Sequence, residues 1–214
     1  MLQVKRFNHD DFESLCATFD RQWGWELGDD FELRHDLAVH YLAAALAGAD
    51  IVRVASVDGQ TVGVMCAQVA DLPSSHDDGV PDKSRYLSLC ALSGQRLQAS
   101  ELGRQALSFY ATIDAANAQL EQEMRQSSKY WDAEMTLLLC DAAARGKGVG
   151  KALVASLFVA LQKCSAHYCM LKTDSHCNWQ FYEKQQWELA ASVPWPNKSG
   201  IIGFAFRKPV LETV

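Results

Sequence analysis

The run Arg145-Gly146-Lys147-Gly148-Val149-Gly150 alternates three glycines with cationic and apolar residues, and Lys151 adds a further charge. Glycine lets a backbone turn sharply and approach a ligand with no Cβ in the way. Successive N–H groups can then face one concavity, and the start of the helix predicted after them adds partial positive charge. The chemistry on offer is the binding of a pyrophosphate. Two familiar phosphate loops are excluded by spacing. A Walker loop needs a hydroxyl residue after Gly-Lys to meet magnesium, and Ala152 stands there. A dinucleotide fingerprint reads Gly-x-Gly-x-x-Gly in an early strand–turn–helix unit, whereas this segment is Gly-x-Gly-x-Gly and lies late in the chain. Taken alone, the glycines also fit a turn that binds nothing. A second candidate is Glu134, an isolated carboxylate at the start of an apolar strand. That setting would raise its pKa toward a useful range, although a carboxylate at a strand end can equally be a structural hydrogen-bonding group.

The elements that must position these residues can be read from periodicity. Ala133 to Cys140 is nearly all apolar, as a central strand buried on both faces would be. After the glycines, Val149, Leu153, Leu157, Ala160, Leu161 and Cys164 mark one helix face. A strand at Tyr168 to Thr173, a short helix at Asn178 to Gln185, and strands at Trp187 to Val193 and Ile201 to Arg207 complete the second half. In the first half, Leu2 to Phe7 alternates as a short strand, and Asp10 is placed to cap a helix carrying Phe12, Leu15, Cys16 and Phe19. A helix from about Asp30 to Leu46 should end at Gly48. Ile51 to Val57 and Thr61 to Val69 form a hairpin through Asp58-Gly59. Pro73 to Arg85 reads as a polar loop. Leu102, Ala106, Phe109, Ile113, Ala116, Leu120 and Met124 then recur at steps of three or four, predicting one long amphipathic helix from about Ser100 to Ser127. The order β-α-α-β-β-α-β-α-β-α-β-β predicts a mixed α/β fold in a single domain spanning residues 1–214.

Of the 214 residues, 49% are apolar and 21% charged, which suits a globular protein with a core. The net charge of -6 argues against a broad nucleic-acid interface, which needs a basic face. No signal-like or membrane-length apolar segment occurs, so a cytoplasmic location is expected with no membrane partner. Seven cysteines with no Cys-x-x-Cys pair suggest buried reduced thiols. His176-Cys177 has nothing near it to complete a zinc spacing, and no metal is expected.

Arg145-x-x-Gly148-x-Gly150 after an apolar strand resembles the acetyl-CoA signature Arg/Gln-x-x-Gly-x-Gly/Ala of the GNAT superfamily of N-acetyltransferases. Asn178-Trp179-Gln180-Phe181-Tyr182-Glu183-Lys184 resembles its second signature, an Asn before a helix carrying Phe-Tyr. The resemblance is strong over 133–192, looser over the opening elements, and does not cover 71–128. It implies a mostly antiparallel central sheet with splayed fourth and fifth strands, flanked by helices, with 71–128 as a long helical insertion between the third and fourth strands. It also implies transfer of acetyl from acetyl-CoA to a primary amine of a small molecule or a protein. Backbone groups of Leu138, Leu139 and Cys140 would hold the pantetheine arm as a pseudo-strand. Backbone N–H groups from Arg145 through Gly146, Lys147, Gly148, Val149 and Gly150 to Lys151 would take the pyrophosphate. Asn178 would reach the arm or the pyrophosphate with its amide, unless it caps the next helix. Tyr182 falls at the family's general-acid position, with core packing as its other reading, and Glu134 falls where some members place a base. The strand N–H of Leu139 is a candidate oxyanion donor.

Residues 141–144, Asp-Ala-Ala-Ala, and Gln186, where a helix-ending Gly is common, depart from the family pattern. The acceptor site would be lined by about Trp23 to Tyr41, by the insertion and by Trp195 to Gly200. Trp23, Trp25, Trp179 and Trp195 could wall it, and Asp29, Asp30, Asp77 and Asp78 could attract an amine. The resemblance allows a homodimer. A non-catalytic acyl-CoA-binding or regulatory module on the same fold is the alternative reading.

Overall fold

The computed structural model describes residues 1–72, 82–196 and 200–210, with backbone alone at 25 and 26. Seven strands form one sheet: β1 (Leu2–Arg6), β2 (Ile51–Val57), β3 (Gln60–Val69), β4 (Ala133–Cys140), β5 (Tyr168–Asp174), β6 (Glu188–Pro194) and β7 (Ile202–Pro209). Their spatial order is β1-β2-β3-β4-β5-β7-β6. Every pairing is antiparallel except β4 with β5. The helices are α1 (Phe12–Trp23), α2 (Phe31–Gly48), α3 (Lys83–Gln98), α4 (Glu101–Gln126), α5 (Val149–Lys163) and α6 (Gln180–Lys184). This is the fold class expected from the sequence, splayed central strands included.

Helices cover both faces of the sheet. The α5 side carries Val149, Leu153, Leu157 and Leu161 against Met65, Met135, Leu171 and Phe206. On the other side α1 and α2 pack Leu15, Phe19, Leu37, Leu42 and Leu46 against Val52, Val54, Leu137 and Leu139. Further along that side, Leu120 and Met124 of α4 cover Met170, Val193 and Ala205 of β5, β6 and β7. The β2–β3 hairpin turns through Asp58 and Gly59, at φ of 52° and 82°, as the Asp-Gly pair predicts.

Several expectations are corrected. The first helical segment is capped by Asn8 rather than Asp10: the Asp10 N–H donates to Asn8 Oδ1 at 3.1 Å, and the Asn8 N–H donates to Asp11 Oδ2 at 3.1 Å. At the end of α2, Gly48 is the last helical residue and Ala49 is extended, so no left-handed glycine cap forms. The insertion holds two helices rather than one. α3 was hidden because only Tyr86, Ser93 and Leu97 of it are buried, while Leu87 and Leu92 point outward and blur its period. Ser100 separates it from α4, its side chain accepting the Gly103 N–H at 2.9 Å.

β4 is not buried evenly on both faces. Ala133, Met135, Leu137 and Leu139 are buried, and the residues between them are half-buried. The pairing with β3 passes from Met135↔Ala67 to Leu137↔Cys66, so Thr136 is an extra residue. This bulge turns the strand over. Met135 packs with α5, whereas Leu137 and Leu139 pack with α1 and α2.

Candidate functional site

Beyond the bulge, β4 loses its neighbour. β4 and β5 pair only from Ala133↔Cys169 to Met135↔Leu171. Both strands run on, to Cys140 and to Asp174, with an open gap between them. The Asp141 N–H donates to Val62 O at 2.8 Å, which fixes the alternation along β4. Leu137 and Leu139 direct their backbone groups toward β3, while Leu138 and Cys140 direct theirs into the gap. Of the three residues expected to offer backbone groups, Leu138 and Cys140 therefore do so. Leu139 is corrected on this point, both as a partner for an arm in the gap and as an oxyanion donor, because β3 uses its amide.

The glycine segment closes one end of the gap. Asp141 starts it by accepting the Ala143 N–H at 2.9 Å and the Arg21 guanidinium at 2.5 Å. These partners hold its carboxyl below the usual range. A short 3-10 turn at Ala142–Ala144 follows. Gly146 and Gly148 sit at φ of 79° and 78°, and a Cβ at either would meet nothing within 4 Å. Those two glycines are needed for their left-handed backbone, and the space beside them stays open. Gly150 does something else. A Cβ there would lie 3.3 Å from Phe181 Cζ, so this glycine lets the α6 aromatic seat directly on α5.

Two expected pyrophosphate donors are otherwise engaged. The Arg145 N–H is bonded to Ala142 O at 3.1 Å and the Lys147 N–H to Ala144 O at 3.2 Å. These residues can offer only their side chains, which are exposed. The donors left by helix geometry are Val149, Gly150 and Lys151, in the first turn of α5, whose N–H groups have no partner within the helix. Left-handed glycines with open space beside them, a helix start and nearby cations fit a pyrophosphate.

α6 follows β5 and seats its Phe181 on Gly150 of α5. No side chain caps it, and Trp179 occupies the cap position, so Asn178 is exposed and its amide is not spent as a helix cap. Gln186 takes φ of 60°, the left-handed position that a glycine would otherwise fill. Tyr182 packs on Phe181, Trp187 and Phe206, with ring centroids 5.2, 6.0 and 5.8 Å away. Burial first, and the nearby Cys177 and Cys140 thiols next, drive its pKa well above the usual tyrosine range. The phenol therefore keeps its proton at neutral pH. Burial likewise pushes Cys140 and Cys177 up to about 11, so both remain thiols at neutral pH.

Glu134 is not isolated. Its Oε1 lies 3.0 Å from Lys172 Nζ, and the same Nζ lies 2.5 Å from Glu121 Oε1 of α4. Burial raises the Glu134 pKa, Lys172 opposes that, Glu121 adds to it, and the balance stays above the ordinary carboxylate value. Glu134 also lines a cleft of about 640 Å³ together with Gln68, Arg125 and Trp131. Sequence reading missed Lys172 and Glu121. The only hint was an acidic position on the insertion helix, and the strand register that brings Lys172 to Glu134 is not written in local sequence.

The aromatic wall forms in part. Trp23 meets Tyr41 at 6.4 Å, Tyr41 meets Tyr110 at 5.2 Å, and Phe109 meets Trp195 at 5.9 Å, linking α1, α2, α4 and the end of β6. Trp179 packs on Phe204 instead. Burial above all pushes the Tyr41 hydroxyl up to about 12, and Cys177, Asp114 and Asp174 contribute to that rise. Asp114 and Asp174 are thus the acids that act on Tyr41. Asp30 is the cap of α2, accepting the Leu33 N–H at 3.0 Å. Asp77, Asp78 and the side chain of Trp25 lie outside the described residues, as does 197–199 of the last turn. No group of three or more metal-binding side chains occurs among the described residues.

Residues 104–187 match the Acetyltransferase (GNAT) family. Among solved structures, the chain is similar to the histone acetyltransferase HPA2 and related acetyltransferase from Corynebacterium glutamicum, with a TM-score of 0.58, 14% identity, and 100% of this chain and 99% of that one covered. It is similar to an N-acetyltransferase from Staphylococcus aureus, with a TM-score of 0.54, 10% identity and 99% of each chain covered. A GNAT acetyltransferase from Bacillus cereus gives 0.53, 9% and again 99% of each. No curated protein matches the sequence. The matched stretch holds both Arg145-x-x-Gly148-x-Gly150 and the Asn178 to Tyr182 segment, the two places where the sequence resembles GNAT signatures. No helix among the described residues is long and apolar enough to cross a membrane.

Proposed function

We propose that the protein is an N-acetyltransferase that moves acetyl from acetyl-CoA to a primary amine of a small molecule or protein by direct attack. The observation that carries this reading is the gap between β4 and β5. It opens at Leu138 and Cys140, leads into the glycine loop, and is followed in the chain by the helix bearing Tyr182, whose neighbour Phe181 seats on Gly150 at the start of α5. Acetyl-CoA fits such a gap: the pantetheine arm beside β4, its pyrophosphate at the first turn of α5 with the Arg145, Lys147 and Lys151 side chains around it, and Asn178 within the same region. The strand amide of Leu138 is the oxyanion donor best oriented for this chemistry.

A free alkylamine has a pKa of roughly 10.4, so the acceptor must lose a proton before it attacks. Glu134 serves as the base, and burial raises its pKa above the ordinary carboxylate value, which makes it a better proton acceptor than an exposed glutamate. Tyr182, protonated over the whole working range, donates to the departing thiolate. The half-buried aromatic residues Tyr41 and Tyr110, with Asp114 and Asp174 nearby, suit an acceptor bearing positive charge. Thiol release from acetyl-CoA, followed over a panel of amines, tests the proposal. Tight acetyl-CoA binding with no turnover on any amine would favour a non-catalytic acyl-CoA-binding module.

A further inference from the structure

The Lys172 ammonium is shared by two carboxylates from different elements. It lies 3.0 Å from Glu134 on β4 and 2.5 Å from Glu121 on α4. The lysine side chain is only 11% exposed and that of Glu134 17%, against 34% for Glu121. A surface ion pair of this kind would be worth little, but a partly buried ammonium between two acids is a strong local constraint. Each acid weakens the hold of the other on the same cation. The remaining charges around Glu134 are committed elsewhere. Arg125 of α4 stacks over Trp131 at 4.7 Å and reaches the far oxygen of Glu121 at 4.0 Å, so it acts on Glu134 only through Glu121, and Lys129 is bonded to Glu188. Asp50 pairs with Lys83 at 3.1 Å, and Asp132 accepts the His167 and Tyr168 amides. The neighbouring Cys169 thiol is buried and neutral. The direct electrostatic partner of Glu134 is therefore Lys172, and Glu121 is the group that competes for it.

We infer that Lys172 is a positioning residue that orients Glu134 and keeps it ionised, and that Glu121 of the insertion helix loosens that hold so that Glu134 can accept a proton. The inference rests on Glu134 acting as the base in the proposed acetyl transfer. It gives α4 a part in the reaction besides packing: a helix between the third and fourth strands supplies the acid that tunes a residue on the central strand. Removing the lysine charge and removing the Glu121 charge must then act on Glu134 in opposite directions. Opposite shifts of the midpoint test the coupling itself, and a matching shift in the acid limb of kcat/KM is what a merely structural ion pair would not produce.

The test is a 13C titration of the glutamate carboxyls in the full chain, with the Glu134 signal assigned by its loss in Glu134→Gln. Lys172→Gln should move the Glu134 midpoint up, Lys172→Arg should return it toward the wild-type position, and Glu121→Gln should move it down. Glu121 is the more exposed partner, so Glu121→Gln remains informative if Lys172→Gln fails to fold. The acid limb of kcat/KM with an accepted amine should shift in the same directions. A Glu134 midpoint that stays fixed or rises in Glu121→Gln overturns the inference, and turnover with amines would leave the acetyltransferase reading standing. Opposite shifts of the midpoint in a protein that turns over no amine would instead count against that reading while supporting the tuning of Glu134. Opposite shifts of the midpoint with an unmoved acid limb in an active enzyme would remove Lys172 and Glu121 from the catalytic account.

Discussion

In the proposed transfer Tyr182 and Glu134 take opposite ends of the proton balance, and burial acts on both. It keeps the phenol protonated, and it lifts the carboxylate toward the pH at which an amine must be relieved of its proton. Tyr182→Phe keeps the ring contacts with Trp187 and Phe206 and removes only the proton. Turnover should fall by about 100-fold or more, the scale of a lost general acid, with acetyl-CoA affinity little changed. Unchanged turnover in steady-state kinetics would remove Tyr182 as the acid. The pH profile follows from the same two groups. The rate should climb as pH rises through a Glu134 midpoint above the ordinary carboxylate value, and should not fall through loss of the Tyr182 proton until above the usual tyrosine pKa of roughly 10. An acid limb that persists in Glu134→Gln would assign it to another group. Glu134 and Tyr182 could be singled out as candidates in the sequence because each sits at a fixed offset from a signature. Lys172 could not, because its contact depends on which residues of β4 and β5 face one another.

At the level of elements, the glycine loop and the β4–β5 gap form one device. Gly148 holds φ of 78° directly before α5, where a Cβ is strained whatever the space around it. Gly148→Ala should cost about 1 kcal/mol in urea unfolding and should weaken acetyl-CoA binding as the amides of the helix start move. Unaltered affinity would detach this loop from the pyrophosphate. The paired ends of the two strands are fastened by Asp132, which accepts the His167 and Tyr168 amides at 2.7 and 2.8 Å. Burial alone would raise its pKa, but those hydrogen bonds outweigh it and leave the carboxyl below its usual value. A depressed carboxyl contributes stability that is present above its unfolded pKa and lost as pH falls through the folded one. Asp132→Asn should therefore be destabilised at neutral pH, with the deficit closing in acid, as denaturant titrations at several pH values would read. The hairpin at Asp58-Gly59 and the span of β4 were plain from turn chemistry and apolar runs. The Thr136 bulge was not, since a bulge is a property of the pairing with β3, and α3 was lost because few of its residues face the core.

In the whole molecule, the sheet divides the work. α5 and the glycine loop lie on the side assigned to the donor in the proposed reaction, while α1, α2 and the two insertion helices cover the other face, where Glu134, Lys172 and Glu121 meet. The second half of the chain carried the signal: the family match spans 104–187, which holds β4, the glycine loop and the Tyr182 helix. The first half and α3 are recognisable by fold alone, and the residues that would choose an acceptor lie mostly there. A protein built this way should act on the donor by a route set by its shared features, and on the acceptor by a route set by Tyr41, Tyr110 and the acids near them. The most direct test is release of CoA thiol from acetyl-CoA in the presence of a panel of primary amines, with wild type and Tyr182→Phe side by side. The account predicts amine-dependent release by wild type, with the acetylated amine recovered and the signal largely lost in the variant. Acetyl-CoA binding without amine-dependent release on any member of the panel would contradict it.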